Sequence, residues 1–127
     1  MSTVKRRLLA VATVAALALA SVSPASAADI VPLSYSLDCV GSGGSHLYDP
    51  PNPINAHSYT SGEPTACDLK YLFFTYKVSG VEFTGGAGWT TSNQLVNFNN
   101  SATQVNGAHR LCKSDFSLCS SWGFTSE

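Results

Sequence analysis

Three histidines, His46, His57 and His109, supply the most versatile side chains in the chain. An imidazole can act as a general base near neutral pH or ligate a transition metal. His46 and His57 share one stretch with Asp49, so nitrogen and carboxylate oxygen ligands for zinc, or a base and its orienting acid, lie close in sequence. Their spacing matches no metal signature: there is no H-E-x-x-H and no C-x-x-C. Serines are plentiful, but no G-x-S-x-G elbow marks one as a nucleophile. The reading is therefore of a protein with no catalytic set, no metal and no cofactor. A small secreted hydrolase using these histidines is the alternative.

Cys112-Lys113-Ser114-Asp115-Phe116-Ser117-Leu118-Cys119 points to binding rather than catalysis. Bridged, it becomes a short loop displaying Lys113, Phe116 and Leu118. Much of its ordering entropy is then lost before any partner arrives, as in rigid inhibitor loops. Lys113 suits an acidic specificity pocket, but Asp115 beside it is repelled by one, so Phe116 is the expected anchor. The plainer reading is a clasp near the C-terminus. Tyr48 and Tyr59, in a stretch rich in Gly, Pro and Ser, form the second expected contact area. Trp89 and Trp122 have two readings: plugs of the core, or exposed anchors for a protein or a sugar.

The elements that must carry these residues begin after residue 27. Lys5, Arg6 and Arg7 precede an apolar run over 8–20 that is too short to span a bilayer, and Ala25-Ser26-Ala27 fits a signal-peptidase site. Residues 1–27 thus read as a secretory signal peptide, helical in its apolar run, and 28–127 as one extracellular domain. Beyond residue 27, four lysine or arginine side chains stand against eight carboxylates, a net charge of −4. No basic cluster is left for nucleic acid or an anionic membrane, so the expected partner is an extracellular protein. A proteinaceous inhibitor of an extracellular hydrolase is the sharpest form of that expectation. A cell-surface or matrix interaction module is another.

Four cysteines in an exported chain read as two disulfides. Cys39–Cys67 with Cys112–Cys119 closes the shorter loops and is preferred. Cys39–Cys112 with Cys67–Cys119 remains open, because a bridge between sheets joins distant strands.

Alternation predicts strands over Val31–Val40 and Lys70–Val78, with Pro32 favouring an edge. Tyr71 and Phe73 put apolar groups on the second face of the latter as well. Ser79-Gly80 turns that strand into Val81–Thr84, setting Val78 against Val81, Lys77 against Glu82 and Tyr76 against Phe83. Gly85–Gly88 reads as a flexible break, Leu95–Phe98 as a short strand and Phe116–Phe124 as a last strand. Asn106-Gly107 reads as a hairpin turn joining Ala102–Val105 to Ala108–Leu111. Gly41–Pro64 reads as a loop long enough that it is functional, pinned by a disulfide, or hides an element. The expected fold is an all-β, disulfide-stapled sandwich or barrel of about six to seven short antiparallel strands.

Overall fold

The computed structural model describes residues 28–50 and 54–127. The expected signal peptide, its helix and Pro51-Asn52-Pro53 lie outside the described residues. The fold is all-β. Eight strands run in order: β1 (Ile30–Ser34), β2 (Val40–His46), β3 (His57–Gly62), β4 (Leu69–Val78), β5 (Val81–Thr90), β6 (Gln94–Asn97), β7 (Gln104–Cys112) and β8 (Gly123–Ser126). They form two antiparallel sheets of four, ordered β1-β2-β3-β6 and β5-β4-β7-β8. Disulfides join Cys39 to Cys67 and Cys112 to Cys119, the preferred pairing. Both lie at the end of the sandwich where β1 leads into β2.

The β4/β5 hairpin follows from its residues. Val78 pairs with Val81, Lys77 with Glu82 and Tyr76 with Phe83, the register that the turn dictates. Leu72 and Phe74 point inward and are buried. Gly85–Gly88 does not break the chain: β5 runs through it. The register slips there by a bulge, and Gly86 and Gly88 take φ of 98° and 70°, angles that side chains with a Cβ rarely adopt.

Three other expectations are corrected, and one left open is decided. The strand over Val31–Val40 is two. β1 stops at Ser34, the chain bends, and Leu37 stands 99% exposed where alternation put it in the core. The Ser36 hydroxyl accepts a hydrogen bond from the Cys39 amide, which closes the bend. Gly41–Pro64, left open between three readings, hides most of β2 and all of β3 and is pinned by Cys39–Cys67. Asn106-Gly107 makes no turn and lies in mid-strand within β7. The last strand begins only at Gly123, so Phe116 and Leu118 belong to a loop.

The interior explains β2 and β3. Gly43 and Ser45 of β2, and Ser58 and Thr60 of β3, face His109 and Thr125 of the other sheet. Ser45, Ser58, Thr60, His109 and Thr125 are all fully buried. This polar belt lies between two apolar clusters, one around Leu33, Cys39, Cys67 and Leu111, the other around Leu72, Phe74 and Val105. The sheets approach closely because small residues line the belt. A Cβ on Gly43 would stand 2.2 Å from the His109 ring, which hydrogen bonds hold on both sides. Gly43→Ala is expected to destabilise by about 1–3 kcal/mol, the usual cost of overpacking, read from urea denaturation.

Candidate functional site

Cys112 ends β7, and the disulfide folds the chain back so that Cys112 and Cys119 pair as an isolated antiparallel bridge. The Lys113 amide donates to the Leu118 carbonyl at 2.9 Å, and the Phe116 amide to the Lys113 carbonyl at 2.9 Å. The loop is also tied from outside, the Ser114 amide donating to the Asp68 carboxylate at 3.1 Å. Hydrogen bonds from Ser117 hold the Asp115 carboxyl below its usual range, aided by the Lys113 charge, so Asp115 stays ionised at the tip. Phe116 is held at φ 58°, a strained conformation for a bulky side chain, and is 52% exposed.

The Phe116 ring does not stand alone. It packs edge-on against Trp89 with 5.0 Å between centroids. Trp89 meets Tyr71 at 5.1 Å, and Tyr71 meets Trp122 edge-on at 5.0 Å. The Arg110 guanidinium lies 5.0 Å over the Trp122 ring, a cation–π contact, while its Nε donates to the Ser120 carbonyl. Strand register makes this row. Tyr71 of β4 pairs with Trp89 on one side and with Arg110 on the other, so all three project from the outer face of the second sheet. Trp122 enters from the residue before β8. Neither tryptophan plugs the interior. Phe73 extends the exposed aromatic surface along β4.

Lys113 and Leu118 lie on the other flank of the loop. They line a cleft of about 760 Å³ with Tyr35, Asp38, Glu63 and Ala66. The disulfide loop is thus a ridge between an aromatic face and a mixed-charge cleft. Tyr48 and Tyr59 are not part of it. Tyr59 sits in β3, its ring 6.3 Å from His46 and 6.0 Å from His57, and Tyr48 follows β2. Both are near the opposite end of the sandwich, roughly 20 Å away by strand length. Tyr71 and Arg110 were not among the expected contact residues. The second apolar face of β4 was the signal for Tyr71, whereas Arg110 is located only by the pairing of β4 with β7.

The residue types of nucleophilic catalysis do meet, but inside the sandwich. His109 Nδ1 lies 2.8 Å from Thr60 Oγ1, whose hydroxyl donates to the Tyr71 carbonyl. His109 Nε2 lies 2.7 Å from Thr125 Oγ1, and the chain continues through Ser45 Oγ and Ser58 Oγ to the Gly44 carbonyl. Four hydroxyls and a neutral imidazole carry five polar protons for these six contacts, and only an imidazolium would complete the set. Burial opposes that charge and lowers the His109 pKa to about 4, with the Tyr59 backbone carbonyl working weakly against it. The network ends on backbone carbonyls with no opening to solvent, so its work is structural.

No protein-family model matches this sequence, and comparison with curated proteins and with solved structures finds no significant match.

Proposed function

We propose that this chain is a secreted, non-catalytic binding domain that engages another extracellular protein through the face built by Phe116, Trp89, Tyr71, Trp122 and Arg110. Two disulfides are compatible with an extracellular setting, and among the described residues no helix is long and apolar enough to cross a membrane. The observation that carries the reading is the continuous row of four aromatic rings ending at a strained, half-exposed Phe116 on a disulfide-clasped tip. Tryptophan, tyrosine and arginine are the residues that dominate binding energy at protein interfaces. Two of the three ring contacts are edge-to-face and the third is tilted, and this packing restricts the rotamers before a partner arrives and lowers the entropy lost on binding.

An inhibitor of an extracellular hydrolase is the sharpest form of this reading, with Phe116 as the anchor residue. The ridge shape supports it: a narrow, braced projection fits a cleft better than a flat partner. The test is inhibition of a panel of secreted serine proteases, metalloproteases and glycosidases by the domain spanning 28–127. Phe116→Ala and Trp122→Ala are each expected to weaken inhibition at least about thirtyfold, about 2 kcal/mol. If wild type inhibits nothing in the panel, the inhibitor form fails. If it inhibits and both variants match it with folding intact, the aromatic face is not the contact.

A further inference from the structure

The end of the sandwich opposite the disulfides gathers side chains that no sequence spacing connects. β1 begins beside the last residues of β2, and the residue after β8 closes on both. There Asp29, His46 and Glu127 converge, with one ligand atom from each lying within 4.8 Å of the others. His46 Nδ1 is 3.7 Å from Asp29 Oδ2 and 3.7 Å from Glu127 Oε2. These separations are too long for hydrogen bonds. They are close to the edge of a tetrahedron around zinc, about 3.4 Å for bonds near 2.1 Å. The arrangement points to a divalent-metal site of the zinc class, formed by Asp29, His46 and Glu127, with His57 beside it but outside the set of converging ligand atoms.

His57 faces His46 across the β2/β3 pair, their ring centroids 4.9 Å apart. Its Nδ1 lies 2.7 Å from the Asn55 carbonyl, so that nitrogen carries the proton and Nε2 keeps a free lone pair. A carbonyl fixing the tautomer in this way is what orients metal-bound imidazoles. The Glu127 carboxylate is also held, its Oε2 accepting from the Leu47 amide at 2.6 Å, and the Asp29 backbone is tied to β2 by its carbonyl, which accepts from the Ser45 amide at 2.9 Å.

Charge asks for a cation. The residues open onto a cleft of about 340 Å³ whose walls, among the described residues, carry Asp29, Glu127, His46 and His57 and no lysine or arginine. An imidazole nitrogen with two carboxylate oxygens suits zinc better than calcium or magnesium, which take all-oxygen sets. A bound ion ties the start of β1 and the end of β8 to the β2/β3 pair. It is a third staple, at the end that no disulfide reaches. Cleavage after Ala27 leaves Asp29 in the chain, so the site survives removal of the leader read from the sequence.

The test uses the 28–127 protein, stripped with EDTA and dialysed. Calorimetric titration with zinc sulfate is expected to show one zinc per chain, and zinc to raise the melting temperature reversibly. His46→Ala and the near-isosteric Glu127→Gln are each expected to weaken zinc binding at least tenfold, with unchanged near-ultraviolet circular dichroism in the metal-free state. Calcium at the same concentration is expected to leave the melting temperature unchanged. Absence of zinc binding up to 100-fold molar excess overturns the proposal, as does equal zinc affinity in wild type and Glu127→Gln. A melting shift with calcium and none with zinc overturns the metal class.

Discussion

Phe74→Ala is expected to destabilise the domain by about 3–5 kcal/mol, the range for deleting a buried aromatic side chain. The upper half of that range is favoured by how little can move into the space. Phe74 is buried in the β4/β5 hairpin, its ring 5.4 Å from Phe98 and 6.0 Å from Tyr76. Its far edge lies over Gly85, where an added Cβ would stand 2.4 Å from Cζ. That backbone adjoins the bulge and is paired along β4, so it does not collapse inward when the ring is removed. Small domains hold about 5–15 kcal/mol in total, so the variant should be partly unfolded in modest urea. The measurement is the urea midpoint with an unchanged m-value. A loss under about 1 kcal/mol would contradict the packing described for this ring.

Acid is expected to remove about 3 kcal/mol through His109 alone. Its pKa is about 4 in the folded state against 6.5 for the unperturbed side chain, and each unit is worth about 1.4 kcal/mol. The folded value is depressed, so the unfolded chain takes up a proton that the folded chain refuses between those two values. Stability is therefore full above about pH 6.5, falls as pH is lowered, and flattens below about pH 4. Urea denaturation of wild type and His109→Gln across pH 7.5 to 3.5 isolates the effect, because the other titrating groups are shared. The variant is expected to lose the slope between pH 6.5 and 4, whatever its absolute stability. Parallel curves for the two proteins would show that the buried imidazole is not the source.

What was legible in the chain follows from how each element hides its inner face. The β4/β5 hairpin buries Leu72 and Phe74, so hydropathy alternates and the turn sets the register. β2 and β3 bury Gly, Ser and Thr while Tyr59 and the two histidines face outward, and alternation of that kind resembles a loop. Their stability rests on hydrogen bonds to His109 and Thr125, which come from distant sequence. Asn106-Gly107 carries turn chemistry, but Gly107 is needed for space. An added Cβ would stand 2.6 Å from Ser45 Oγ and 2.7 Å from Thr125 Oγ1. Phe116 was legible because its loop is defined by two nearby cysteines. Its neighbours in the aromatic row were not, because strand pairing rather than proximity in sequence brings Tyr71, Trp89 and Trp122 together.

The irregular middle of β5 also governs how the molecule treats its own copies. A two-sheet fold leaves four strands with an unpaired side, each a template for a stranger's backbone. Three of these borders are short: β1 of five residues, interrupted by Pro32, and β6 and β8 of four each. β5 is ten residues long and carries exposed apolar side chains at Val81 and Phe83, the strand best able to seed a ladder of molecules. Its bulge and its two left-handed glycines bend the strand, and the Gln94 side chain already takes the Ala87 amide and the Gly88 carbonyl, so an incoming strand meets no continuous row of partners. The glycine run thus makes the longest border strand a poor template for the backbone of another molecule.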